Sequence, residues 1–312
     1  GRLPPTLDLM AKRVLKLPSC FELAVSPQEQ FVAAIGRNIV VAHLDSCKRA
    51  FSFRDLRNPA HASFDSHEAR LVVKNTSGDL VALELPSGRE IARYRAKGND
   101  EGSEIQHSRD GEFVVDGAWA GAIRVRRSDN LAIVEEFSFP GEMITGVSRT
   151  GDGESWLFTH QPQTAAGENW PPPPYLTLWT WPLRAPQRRI DPGFYKINAA
   201  SVSPCGSWIA MAGGHRAQSD GLVPSDELRI IDSLGADRAT ARITYAGTSY
   251  RARWSADSRM IGTIDKGGVL VFSAEGLAPH RRVSAESPSD VAFFSDGSAL
   301  VGTWSKGWVE SL

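Results

Sequence analysis

The stretch Val202-Ser203-Pro204-Cys205-Gly206-Ser207-Trp208-Ile209-Ala210 decides the fold, because an apolar run enters a turn and a second apolar run follows directly. The pattern occurs seven times, with leading residues Val25, Phe64, His107, Val147, Val202, Trp254 and Phe294. The steps between these residues are 39, 43, 40, 55, 52 and 40. A period near forty that is built from short strands indicates a ring of small sheets rather than a solenoid of helices.

Each repeat has the pattern of four short strands. A second strand follows the turn, as at residues 31–35, and a third strand alternates between apolar and polar residues, as at 228–232. A more polar fourth run, such as 49–53 or 90–94, fits an outer edge. The sequence therefore predicts an all-β fold: a seven-bladed β-propeller of four-stranded antiparallel blades that forms a single domain over residues 1–312.

The seventh repeat ends after a third strand near residues 308–312. The N-terminal run Arg13-Val14-Leu15-Lys16-Leu17 has the composition of the missing edge strand. Because an open ring would expose a sheet edge, we expect residues 12–17 to complete the last blade and close the ring. The alternative is a short amphipathic helix over residues 7–17, whose apolar residues also lie at helical spacing.

The Ser-Pro and Asp-Gly turns, the four-strand unit and the period resemble those of WD-repeat and TolB-like β-propellers over almost the whole chain. The motifs are degenerate, since the Gly-His pair is missing and the Trp-Asp pair survives only as Leu44-Asp45 and Ile231-Asp232. The buried Asp-His-Ser/Thr-Trp network of the family is therefore not carried over to this chain. The resemblance implies a protein-interaction scaffold, with hydrolases and lactonases as a minority, and fold alone does not choose between them.

Composition limits the class of partner. The chain has 35 basic and 36 acidic residues, whereas a nucleic-acid binder needs a basic surplus, so no nucleic acid is expected. Cys20, Cys47 and Cys205 have no metal-ligand spacing and are too few for a disulfide framework, which favours a reducing, cytoplasmic location. No apolar run is long enough for a membrane span. Export is left open because the chain begins at Gly1 rather than Met.

The two long steps place extra residues at 160–174 and 213–226, between second and third strands. Because strand directions alternate, all such connections emerge on one face, and these two should form a raised rim there. Tryptophan is enriched at binding hot spots. The candidate partner-binding residues on this face are Trp119, His160, Trp170, Pro172, Tyr175, His215, Arg216 and Trp304.

Other interpretations of these residues stay open. Trp119 and Trp304 would equally well fill gaps between blades. The run Pro172-Pro173-Pro174-Tyr175 matches a P-P-x-Y ligand of WW domains, although loop stiffening is the favoured role. His160 and His215 lack a third metal ligand, so neither a metal site nor a cofactor is expected.

No catalytic motif is present. The pairs Asp110-Gly111, Asp152-Gly153 and Asp296-Gly297 recur at one position of the repeat and are interpreted as hairpin turns rather than metal loops. The innermost strands carry four polar residues that would face a central funnel, namely His107, Arg251, Arg253 and Asp290. Mutual pairing is favoured for these residues over anion binding or acid–base catalysis.

The sequence thus predicts a non-enzymatic platform, monomeric by itself, that binds a protein of unknown identity through one loop face. A scaffold, a subunit of a larger complex and a toxin-neutralising immunity partner are all compatible with this prediction. The alternative is a small-molecule hydrolase or lactonase with its site at the funnel, near His107, Arg251 and Asp290.

Overall fold

A computed structural model describes residues 19–98, 104–164, 171–214, 226–243, 251–266 and 268–304 of the chain. The regular secondary structure within these ranges consists entirely of β-strands. The described strands form six four-stranded sheets, here called blades, and one two-stranded sheet, and within each sheet consecutive strands pair as antiparallel neighbours.

The first three blades are formed by β1 (Cys20–Val25), β2 (Phe31–Gly36), β3 (Ile39–His43) and β4 (Arg49–Phe53); β5 (Pro59–Phe64), β6 (Arg70–Asn75), β7 (Leu80–Glu84) and β8 (Glu90–Tyr94); and β9 (Gln106–His107), β10 (Phe113–Ala118), β11 (Ala122–Arg127) and β12 (Ile133–Ser138).

The next three blades are formed by β13 (Glu142–Arg149), β14 (Ser155–Pro162), β15 (Tyr175–Thr180) and β16 (Pro186–Ile190); β17 (Lys196–Val202), β18 (Trp208–Gly214), β19 (Asp226–Asp232) and β20 (Asp237–Ile243); and β21 (Arg253–Trp254), β22 (Met260–Asp265), β23 (Gly268–Ser273) and β24 (Pro279–Ser284). The two-stranded sheet consists of β25 (Pro288–Phe293) and β26 (Ala299–Thr303).

The prediction of seven four-stranded blades is wrong, because the described residues form six four-stranded blades. The seventh repeat was identified by a turn and the strand after it. In the structure this turn joins β25 to β26, and these two strands alone form the described sheet. A turn between two strands specifies a hairpin, whereas a blade also needs two further strands to pair with it. The proposed closing strand at 12–17, the alternative helix at 7–17 and the third strand at 308–312 lie outside the described residues. That residues 1–312 form one domain stays a prediction.

Burial follows the order of strands within a blade. The second strands are almost fully buried, since every residue of β2 except the last is buried. The outer strands β12, β16 and β24 are mostly exposed. This gradient confirms that the polar fourth run of the repeat is a solvent-facing edge, where charge discourages pairing with another chain.

Apolar side chains join each sheet to the next. One cluster packs the first blade against the second through Ile35, Val41 and Leu71. At the other end of the chain, Val271 of the sixth blade packs against Val291 of the two-stranded sheet. That sheet in turn packs against the first blade through Leu300 and Leu23. The two-stranded sheet therefore lies between the sixth blade and the first, and it closes the ring within the described part of the chain.

The turns between first and second strands form one face, here called the turn face. Their Asp-Gly pairs are hairpin turns, as predicted: the Asp110 carboxylate accepts the Glu112 N–H at 2.9 Å, and Gly111 has φ 74°. Turns of neighbouring sheets also bond to each other, as in Gln28 to Glu68, Gly151 to Pro204, Cys205 to Ser258 and Ser295 to Glu29.

The opposite face carries the connections between second and third strands and those between one blade and the next; it is here called the loop face. The Thr76 N–H, in a second-to-third-strand turn, donates to the Asn58 carbonyl in a blade-to-blade connection at 3.1 Å. The two kinds of connection therefore meet at one surface, as alternating strand direction requires.

Candidate functional site

The innermost strands surround a central cavity of about 290 Å³. Its polar lining includes Glu22, Glu104, Gln106, Arg149 and Arg253. Of the four funnel residues that the sequence predicts, Arg253 lines this cavity, and the buried Asp290 contacts Arg253 without lining the cavity itself. Glu22 and Glu104 were not predicted as funnel residues. For Glu22, an acidic residue inside the apolar run 21–25 was a usable signal of a buried polar site.

Arg253 is the centre of an ionic network that joins four sheets. Its guanidinium contacts both carboxylate oxygens of Asp290 at 3.2 and 3.0 Å and Glu104 at 2.8 Å, and it lies 3.8 Å from Glu22. Burial acts to lower the pKa of Arg253, but the carboxylates of Asp290, Glu104 and Glu22 outweigh burial and hold that pKa well above its ordinary value. Arg253 therefore stays charged at neutral pH.

Arg251 extends the network toward the loop face. Its Nε lies 3.0 Å from Asp290, Nη2 donates to the Phe21 carbonyl at 2.9 Å, and the guanidinium stacks over the Phe21 ring. The Asp290 carboxylate also accepts the Leu23 N–H at 2.9 Å. Burial acts to raise the pKa of Asp290, yet Arg253 and Arg251 outweigh it and lower that pKa. Arg251, Arg253 and Asp290 thus pair with one another.

A second carboxylate bridges the first two blades. Glu22 is buried; one of its oxygens lies 2.9 Å from Nδ1 of His61 and the other accepts the Ala62 N–H at 2.9 Å. These contacts, together with those of Arg251 and Arg253, hold neighbouring sheets against each other around the cavity.

His107 lies apart from this network. It is 1% exposed, is not among the residues that line the cavity, and places Nδ1 3.0 Å from the Ser63 hydroxyl. Burial lowers the pKa of His107 to about 4. The structure therefore does not bring His107, Arg251 and Asp290 together as one acid–base group.

Arg149 also faces the cavity, near the turn face. Its Nε donates to the His107 carbonyl at 2.7 Å and Nη1 donates to the Thr150 carbonyl at 2.9 Å. Burial, and then the nearby Arg109, lower the pKa of Arg149. Its hydrogen bonds to backbone carbonyls fix the side chain across the third and fourth blades.

On the loop face, Trp304 is the large apolar side chain that stands out. It follows β26, is 42% exposed, and its ring lies 5.5 Å from that of Phe21. Because Phe21 is itself held by Arg251 and contacts His61, the indole rests on an ordered base. Trp119 on the same face is half-buried, and Pro172 is exposed.

His160 and Tyr175 lie beneath the loop face rather than on it. His160 is 0% and Tyr175 is 6% exposed, and their rings stack at 4.5 Å. His160 Nδ1 lies 2.8 Å from Glu142, which also accepts the Tyr175 hydroxyl at 2.7 Å. Burial, and then Glu142, raise the pKa of Tyr175, and burial lowers the pKa of His160. Both side chains are thus occupied within the fourth blade.

The same histidine completes a longer hydrogen-bonded chain. The Trp179 indole N–H donates to the Thr177 hydroxyl oxygen at 2.9 Å, and that hydroxyl lies 2.8 Å from His160 Nε2. A Trp-Thr-His-Glu chain therefore runs through the fourth blade. Its residue types match the family network that the degenerate motifs did not predict, with Glu142 in place of aspartate.

Trp170, His215 and Arg216 lie outside the described residues. Within the ranges that the structure describes, no three His, Cys, Asp or Glu side chains are grouped to hold a metal ion. In those same ranges, no helix is long and apolar enough to cross a membrane.

Comparison with known proteins establishes the fold. No family model matches this sequence, and no curated protein matches it. Among solved structures, hydrazine synthase of Kuenenia stuttgartiensis is similar, with a TM-score of 0.76, 14% identity, and 100% of this chain and 99% of that chain covered.

The Cps50 (Swd1) β-propeller domain of Myceliophteria thermophila is similar as well. Its TM-score is 0.73 at 9% identity, and the likeness covers 97% of this chain and 99% of that chain. One neighbour is named as an enzyme and the other as a propeller domain, so they do not agree on a function. At these identities they show architecture alone, and the chain has a WD-repeat-like β-propeller fold.

Proposed function

We propose that this chain is a non-enzymatic interaction platform that binds a partner protein through its loop face. The single observation that carries the proposal is Trp304, a large aromatic side chain that is 42% exposed on that face while its ring rests on Phe21. Indole rings supply large contact area at binding hot spots. An aromatic anchor that is already ordered loses little entropy when a partner docks.

The polar groups of the central cavity also support this proposal, because they are engaged with one another. Arg251, Arg253 and Asp290 satisfy one another, and His107 is buried. General acid–base catalysis needs a titratable group within reach of a substrate. The residues named for a hydrolase are engaged in holding sheets together, so the geometry favours display over turnover.

The proposed surface includes Trp119, Pro172 and Trp304, with His160 and Tyr175 as the support beneath. The connections 163–174 and 215–225 leave the fourth and fifth blades at the same face. Trp170, His215 and Arg216 belong to these connections and stay predictions. A scaffold, a complex subunit and a neutralising partner would all use this mechanism, which is rigid display of anchors on a closed ring.

The test uses the full chain as bait in an extract of its native cells, followed by affinity measurement with the captured protein. Trp304→Ala should weaken binding by about 2 kcal/mol, as removal of a hot-spot aromatic does. Leu234→Ala is the matched control, because Leu234 is apolar, 68% exposed and in the connection from β19 to β20, which emerges on the turn face since strand directions alternate.

Leu234→Ala should leave the affinity unchanged. Equal effects of the two variants, or an effect of Leu234→Ala alone, would place the contact elsewhere and refute the proposal. Thermal unfolding of each variant separates lost binding from lost structure.

A further inference from the structure

A groove of about 420 Å³ opens on the loop face between the first two blades. Five arginines line it: Arg37, Arg54, Arg57, Arg93 and Arg95. This surface is here called the arginine groove. Asp55 and Asp79 are the carboxylates in the lining. The chain as a whole has a formal net charge of −1, so this concentration of guanidinium groups departs from its average.

The five arginines come from separate connections that the fold brings together. Arg37 lies in the turn between β2 and β3, and Arg54 and Arg57 lie in the connection from β4 to β5. Arg93 and Arg95 lie at the end of β8. All of these positions are on the loop face, the surface that the proposed function uses.

Two of the arginines are already paired. Arg93 contacts Glu90 and lies 3.1 Å from Asp55, and Arg95 lies 3.5 Å from Asp79. Asp79 also accepts the Ala96 N–H at 2.9 Å. Asp79 is therefore engaged with the backbone of the groove wall, whereas Asp55 contacts Arg93 from an exposed position.

The other three arginines of the groove are Arg37, Arg54 and Arg57. Among the described residues, no carboxylate lies within 4.0 Å of the guanidinium groups of Arg37, Arg54 or Arg57. All three side chains are exposed. Three cations that share one groove, with no carboxylate partner in the described ranges, repel each other, and an anionic ligand would relieve that repulsion.

The arginines stand on an ordered base. Leu56, between Arg54 and Arg57, is 3% exposed and packs in the apolar cluster of the first two blades. The neighbouring Asn58 carbonyl accepts the Thr76 N–H at 3.1 Å. With its centre anchored in this way, the connection presents its two arginines to solvent, and little backbone entropy is lost on binding.

We propose that the arginine groove binds an acidic segment of a partner protein, through carboxylates that pair with Arg37, Arg54 and Arg57. Guanidinium groups bind carboxylates in a bidentate manner. Charge complementarity favours an acidic ligand, and a short acidic peptide is favoured over nucleic acid because the chain as a whole has no basic surplus. The proposal names the partner chemistry of the loop face and so rests on the proposed function.

The test measures fluorescence anisotropy of a labelled hexaglutamate peptide with the full chain in low-salt buffer. Hexaglutamine and an oligothymidylate of equal length are the comparison probes. Hexaglutamate should bind, hexaglutamine should not, and added salt should weaken the binding. The triple variant Arg37→Gln, Arg54→Gln, Arg57→Gln should bind hexaglutamate about tenfold more weakly or not at all.

The control replaces three exposed arginines elsewhere, as Arg188→Gln, Arg259→Gln, Arg281→Gln, which removes the same net charge. Equal loss in both triple variants, or no binding of hexaglutamate to the native chain, would overturn the proposal. Oligothymidylate binding that is at least tenfold tighter, with the same arginine dependence, would overturn it in favour of a phosphate ligand. If the triple variant unfolds at a lower temperature, the single variant Arg57→Glu provides the same comparison.

The outcome is separate from that of the proposed function. Peptide binding without any effect of Trp304→Ala on partner capture would refute the platform at Trp304 alone. Loss of capture in Trp304→Ala, with no peptide binding, would refute the arginine groove alone.

Discussion

The central cavity and the arginine groove both concentrate arginines, but their surroundings are opposite. In the cavity, Arg253 pairs with the carboxylates of Asp290, Glu104 and Glu22. In the groove, Arg54 and Arg57 face solvent with no carboxylate in reach among the described residues. A buried charge must be paired to exist in the fold, whereas an exposed charge needs no partner and stays available for a ligand. The comparison therefore separates cations that build the ring from cations that can bind.

The largest expected effect on stability comes from replacing Arg253, the paired arginine of the central cavity. Arg253→Ala leaves Asp290 buried without its strongest partner and removes the link to Glu104. Loss of one partner of a buried pair costs about 3–5 kcal/mol, and urea unfolding should show that decrease in the free energy of unfolding. Arg253→Lys, which keeps the charge but not the bidentate geometry, should recover part of it. A loss below about 1 kcal/mol would mean that the network is not structural.

A smaller effect concerns protonation of His107. Burial lowers its pKa in the folded chain to about 4, whereas an exposed histidine titrates near pH 6.5. The unfolded state therefore binds the proton first, and stability present above pH 6.5 is lost as the pH falls toward 4. The loss is about 3 kcal/mol, and His107→Gln should lack it.

The measurement is the free energy of unfolding in urea at pH 7 and at pH 4.5 for both chains. Carboxylates titrate in both, so the difference between the two profiles isolates His107. Parallel profiles would show that the imidazole is accessible to protons in the folded state.

The smallest effect on stability is expected from replacing the exposed arginines of the arginine groove. The triple change Arg37→Gln, Arg54→Gln, Arg57→Gln removes exposed cations and should shift the free energy of unfolding by less than about 1 kcal/mol. The shift should favour the folded state at low salt, because like charges are removed, and it should vanish at high salt. Thermal unfolding at two salt concentrations checks this, with the Arg188, Arg259 and Arg281 triple as the reference. A large destabilisation would show that these arginines support the fold.

Local pattern predicted the strands well, because a hairpin is specified by its own turn and its apolar alternation. The fourth strands at 49–53 and 90–94 coincide with β4 and β8. The blade count was wrong for the same reason, since a turn with one strand on either side identifies a hairpin and not a complete blade. In the part of the chain that the structure describes, the seven repeats form six four-stranded blades and one two-stranded sheet.

Side-chain roles were harder to predict, because they depend on partners that are distant in sequence. Tyr175 follows a proline run and was assigned to a partner surface, yet its hydroxyl bonds Glu142 inside the blade. His107 occupies an innermost strand but turns to Ser63 rather than to the cavity. The arginine groove was not predicted, although the segment Arg54-Asp55-Leu56-Arg57 and the pair Arg93 and Arg95, at the end of a fourth strand, were visible in the sequence.

By itself the sequence determined the all-β class, the positions of the hairpins and the side of the ring on which each connection emerges, since these follow from local turns and from strand alternation. Only the tertiary structure decided how many complete blades there are, and which charges have partners. Asp290 and Leu23 are 267 positions apart and share a hydrogen bond because the ring closes between them. Contacts of that kind depend on closure of the whole ring and leave no mark in any one repeat.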